Sequence, residues 1–151
     1  KLAALVGLGA IIQSVSAGVV QAGAPLLVKI GKGRHGDAVR NNVRGEANIV
    51  DGFENSVDGL KNDIAGKGNR IKGELNGVRG DENSILGVRN RAVGNFNAIK
   101  GEDNRVKGEH NAVLGAFNGV EGVYNKVTGE QNNILGERNA VRGVSNAVKG
   151  Q

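Results

Sequence analysis

The chain has no cysteine, methionine or tryptophan, and only one proline, Pro25. Without cysteine there is no disulfide, no thiol chemistry and no Cys-x-x-Cys metal site, and that absence fits an extracellular life. Aromatic residues are scarce, three Phe and one Tyr. With no aromatic platform and no binding motif, the net charge of +5 does not read as nucleic-acid binding. His35 and His110 stand alone, without the partners that a metal site or a general base requires. Gly31, Gly33 and Gly36 surround Lys32 but lack the G-x-x-x-x-G-K-[ST] pattern of a phosphate loop. No nucleophile, base and orienting group recur together. The sequence therefore argues against an enzyme and calls for neither cofactor nor metal. The first residue is Lys rather than Met, from which a removed leader is expected.

Glycine, by contrast, is abundant, 26 of 151 residues, and it is periodic. From Gly45 to Gly150 a glycine falls at every seventh position, an asparagine three residues after it, and Val or Ile two residues further on, with Ala92 the one lapse. Fixed-period self-similarity marks a repeat architecture. A seven-residue period suggests a coiled coil, but Gly costs about 1 kcal/mol in a helix interior, on the order of 16 kcal/mol over the repeat. A coiled coil also needs two apolar positions per heptad, and this repeat offers one.

Strand geometry accounts for the pattern instead. With Gly as position 0, Asn (3), Val/Ile (5) and the next Gly (7) share one face, while positions 4 and 6 take the other. The second face carries Arg70 and Lys72, Arg105 and Lys107, Lys126 and Thr128. Positions 1 and 2 form a corner beside the permissive glycine. Two heptads then make a 14-residue coil of two short strands, and stacked coils make two parallel sheets. The predicted inner face includes Asn48, Val50, Asn62, Ile64, Asn76, Val78, Asn104, Val106, Asn132 and Ile134. Glycine on that face is expected because only small residues fit between close sheets. The buried Asn either forms a hydrogen-bonded ladder from coil to coil or serves as a turn-former that tolerates left-handed φ.

Pairing of heptads has independent support. At position 1 of alternate heptads the chain reads Glu46, Leu60, Glu74, Val88, Glu102, Ala116, Glu130 and Val144. Stacked on one edge, this order separates like charges. The heptad resembles the haemagglutinin-type repeat, G-x-x-[S/N]-x-[A/V]-x, in the heads of bacterial trimeric autotransporter adhesins. That resemblance covers residues 41–151 and implies a left-handed parallel β-roll, an all-β fold.

Three domains follow: an apolar segment (1–28), a basic Gly-rich connector (29–40) and the solenoid (41–151). Residues 2–28 carry no charge and are long enough to span a bilayer as a helix. Pro25 marks its end. Ala10, Ser14, Gly18 and Ala22 recur every four residues, a small-residue stripe that lets helices pack closely. The helix is then either a membrane anchor or is buried among copies of itself. Lys29, Lys32, Arg34, Arg40 and Arg44 suit an anionic membrane face or acidic groups of a neighbouring subunit. A calcium β-roll is excluded, since no acidic position repeats every coil. Ice binding calls for a flat, regular Thr array, whereas positions 4 and 6 are charged and irregular. Phe53, Phe96, Phe117 and Tyr124 all fall at corner positions. The repeat runs in register to Gly150, with no change of composition that would mark a cap. Together with the apolar segment, this leads to the expectation of a structural subunit forming an extracellular homopolymer. The alternative is a membrane-anchored surface module of adhesin type.

Overall fold

The computed structural model describes residues 2–5, 18–21, 41–47 and 49–150. From Asn41 onward, short strands alternate between two parallel sheets, and each pairs with the strand one coil, 14 residues, away. Residues 41–150 thus make about eight coils, a rod of roughly 38 Å at ~4.8 Å per coil. The ten-stranded sheet begins with β1 (Leu2–Leu5), β2 (Gly18–Gln21) and β3 (Asn41–Glu46), and its last strand is Ala140–Arg142. The eight-stranded sheet runs from Ile49–Phe53 to Ala147–Lys149. The chain is an all-β parallel solenoid.

The apolar segment departs from the helix expected over residues 1–28. Its described parts are strands: β2 pairs in parallel with β3, Gly18 opposite Asn41, and β1 pairs with β2, Leu2 opposite Gly18. A short apolar run reads alike as buried helix or strand. What decides is the edge of β3, a row of N–H and C=O groups seeking partners, together with the strand preference of Val19 and Val20. A small-residue stripe every four residues requires helical geometry, and Gly18 lies in a strand. Ala10, Ser14 and Ala22 lie outside the described residues, as do His35 and the basic residues Lys29, Lys32, Arg34 and Arg40. Among the described residues no helix is long and apolar enough to cross a membrane.

Inside the roll, one column of Val and Ile descends each sheet: Val50, Ile64, Val78, Val106, Val120 and Ile134 on one side are at most 2% exposed. Ala92 occupies its place in that column and is equally buried, flanked one heptad away by Ile85 and Ile99 rather than by Val. Asn62, Asn76, Asn104 and Asn132 are buried too, while Asn48 lies outside the described residues. Every buried amide but one, Asn97, has both side-chain atoms satisfied by neighbouring coils. Asn104 Oδ1 accepts from Asn90 N at 2.9 Å and from Asn90 Nδ2 at 3.2 Å. Its own Nδ2 donates to Asn118 Oδ1 at 3.0 Å and to Gly87 O at 3.2 Å. The ladder is therefore formed, and the turn role falls elsewhere. Left-handed φ belongs to the residue before each Asn, from Ala47 (φ 54) to Ser145 (φ 54).

Glycine is needed for a different reason from the expected closeness of the two sheets. A Cβ on Gly101 would lie 1.8 Å from Gly87 O, the carbonyl of the equivalent glycine one coil away in the same sheet. Its φ of +146 also lies where L-residues are strained. The tight dimension runs along the stack, not across the core.

Two predictions follow from this geometry. Gly101→Ala forces backbone apart and costs about 3 kcal/mol or more, whereas Gly119→Ala, whose Cβ meets nothing within 4 Å, is neutral or stabilises by about 0.5–1 kcal/mol. Urea denaturation of the two variants checks the contrast. Asn104→Ala strips partners from Asn90, Asn118 and Gly87 at once, and the same titration should show a loss of about 2–5 kcal/mol; a loss near zero would mean that the ladder contributes nothing.

Candidate functional site

With the inner positions committed to stacking, any function must use the outward positions 4 and 6 and the corners. Register places these side chains in columns, one residue per coil. On the ten-stranded sheet the columns read Ser84, Ala98, Ala112, Lys126 and Leu86, Lys100, Leu114, Thr128. Only Lys100 and Lys126 of these eight are charged. On the eight-stranded sheet the equivalent columns read Gly77, Arg91, Arg105, Gly119 and Arg79, Val93, Lys107, Glu121. Five of those eight are charged. Over this stretch the two outer faces differ in charge; over all eight coils they do not, with charged residues at seven of sixteen outward positions on the ten-stranded sheet and eight of sixteen on the other. A shallow apolar trough runs along the ten-stranded sheet between Leu86, Ala98, Ala112 and Leu114. Leu86 and Leu114 are each 47% exposed there.

The corners carry contacts that a reading by heptad missed. His110 is not isolated: it stacks between Phe96, at 5.0 Å between ring centroids, and Tyr124, at 5.1 Å, with planes inclined by 14° in each case. Arg138 closes the column, its guanidinium over the Tyr124 ring and hydrogen-bonded to the phenol oxygen. The signal was present in sequence, since residues 96, 110, 124 and 138 all occupy position 2 at 14-residue spacing. Phe53 and Phe117 lie exposed on corners apart from this column. Ion pairs also link coils, as in Lys107–Glu121 and Lys67–Glu82, both at 2.9 Å. The hydrogen bond and charge of Glu82 hold the Lys67 ammonium above its ordinary pKa. The described residues bring together no group of His, Asp and Glu able to hold a metal.

Residues 64–151 match the family model of the grass antifreeze β-roll, more than half of the chain. The chain belongs to that family. No curated protein and no solved structure matches it. Membership in the grass antifreeze β-roll family agrees with the β-roll read from the heptad, but it replaces the adhesin heads as the family to which that heptad points.

Proposed function

We propose that this antifreeze β-roll chain is a non-catalytic extracellular protein that adsorbs to ice through the outer face of its ten-stranded sheet, between Ser84 and Thr128. The observation that carries the reading is the low charge of that face in a chain of this family. Adsorption to a lattice calls for a rigid array with a fixed repeat, and side-chain ladders are the device that keeps stacked sheets flat. Small and apolar groups shed their hydration at little cost, whereas charged groups hold it. Ser84, Ala98, Ala112, Leu86, Leu114 and Thr128 meet that requirement and the Arg-rich opposite face does not.

Ice recrystallisation under the microscope tests this reading. Wild-type protein should slow grain growth, Ala98→Glu with Ala112→Glu should abolish the effect, and Val93→Glu on the other sheet should preserve it. An inert wild type, or a double variant as active as wild type, removes ice from this face.

Self-assembly is a second reading, supported by the overhang of the ten-stranded sheet. Among the described residues no strand of the eight-stranded sheet faces β1 or β2. Two apolar strands, LAAL and GVVQ, at the end of a sheet are an adhesive element. On this reading homopolymers form through that end, and light scattering should show large species that Val19→Lys with Val20→Lys disperses. Wild-type scattering of monomer size would end it.

A further inference from the structure

Along every outward and corner column of the described roll, residues of like charge are kept apart. Position 6 of the ten-stranded sheet reads Arg44, Asp58, Lys72, Leu86, Lys100, Leu114, Thr128, Arg142. One place breaks the rule. Arg91 and Arg105 lie directly opposite each other on adjacent strands of the eight-stranded sheet. Like charges so placed repel, and no carboxylate among the described residues pairs with either. On the neighbouring strands of this sheet two cations have partners: Arg79 meets Asp63 at 3.6 Å and Lys107 meets Glu121 at 2.9 Å. A local rule broken without internal compensation is where a functional site is expected.

The ground beside the pair is open. The column continues into Gly119, where even an added methyl would meet nothing within 4 Å, and on the other side of the pair lies Gly77. The resulting depression is lined by Arg91, Arg105, Gly119, Asn133, Asp103 and Phe117. Phe117 is 58% exposed and presents a broad apolar ring at the corner of a shelf whose floor is backbone. Two guanidinium forks suit planar carboxylates taken bidentately, Asn133 adds an amide for hydroxyl groups, and the ring accepts the apolar face of a pyranose. We propose that this shelf binds a uronic acid saccharide lying along the stack, with its carboxylates on Arg91 and Arg105 and a sugar ring on Phe117. Nucleic acid fits less well, because residues 45–151 carry fourteen basic and fourteen acidic side chains and so lack the extended positive field that phosphate backbones require. Asp103, on the rim, opposes the anion and sets a limit on affinity.

The site lies on the sheet opposite the proposed ice face, so either assignment stands if the other fails. Calorimetric titration of the full chain with a galacturonic acid tetramer tests it, with the methyl-esterified tetramer and a single-stranded DNA oligonucleotide of equal charge as comparisons. Binding should require free carboxylates. It should weaken about ten- to hundredfold in Arg91→Ser and in Arg105→Ser, and tighten in Asp103→Asn. Arg70→Ser, on the other sheet, should bind as wild type. Both serines replace outward side chains, so an unchanged circular dichroism spectrum will show that the roll is intact. Equal binding of ester and acid, full binding by the double Arg91→Ser, Arg105→Ser variant, or tighter binding of the oligonucleotide overturns the proposal.

Discussion

The structure depends on how closely one coil approaches the next. At each seventh residue the backbone comes so near the carbonyl of the glycine one coil away that no side chain fits between them; at Gly101 a Cβ would stand 1.8 Å from Gly87 O. The same carbonyl accepts the amide of an asparagine, Gly87 O from Asn104 Nδ2, so glycine and asparagine act as one device spread over neighbouring coils. This explains why neither position varies while positions 1, 2, 4 and 6 vary freely. A substitution in the device disturbs the coils on both sides, whereas one at an outer position affects at most exposed contacts such as Lys107–Glu121. Stability in such a stack is a sum of neighbour terms, and most of those terms run through the ladder and the Val/Ile columns. The ladder is not flawless. Asn97 Nδ2 is buried without a partner, in the stretch where the corner carries Asp81 and Asn95, which accept from the backbone at 2.7 and 2.8 Å.

Much of this was legible before any coordinates, and the parts that were not share a cause. Strand parity placed Val50, Ile64 and Val78 inside because a period of two acting on a period of seven leaves one consistent solution. The 14-residue coil followed from the need for two heptads to close a turn and was supported by the alternation at Glu46, Leu60 and Glu74, which the register stacks directly. The Asn ladder between coils was among the expected roles and is formed, but other interactions between coils were hidden from the sequence. The role of glycine was assigned to the gap between sheets, when the constraint lies along the stack. His110 reads as solitary until its neighbours fourteen residues away are placed on either side. The apolar segment reads as a helix when taken alone; the edge of β3 makes strands of Leu2–Leu5 and Gly18–Gln21. Local hydrophobicity fixes that a segment is buried, while the template it meets fixes how.

The candidate surfaces show the same limit. Positions 4 and 6 look irregular when read down the chain, because successive heptads belong to opposite sheets. Separated by sheet, they show a stretch of small and apolar groups around Ala98 and Ala112 on the ten-stranded sheet, and on the other sheet a stretch that carries Arg79, Arg91, Arg105 and Lys107. The division of charge along this stretch directs attention to the outer faces rather than to any pocket in the interior.

A scaffold of this kind places little thermodynamic weight on what it displays. Exposed pairs such as Lys107–Glu121 contribute at most about 1 kcal/mol each, and directly opposed like charges cost a similar amount. Against an interior where removal of one asparagine unpairs several buried groups, the repulsion between Arg91 and Arg105 is small enough to persist without threatening the fold. It is also consistent in sign with its surroundings: no acidic side chain replaces either arginine's neighbour in the column, where Gly77 and Gly119 leave the space open instead. Relief by a nearby carboxylate was one substitution away, as the Lys107–Glu121 pair two residues further along the same strands demonstrates. Where internal neutralisation is that accessible and does not occur, the two charges are best understood as facing outward to a partner of opposite sign.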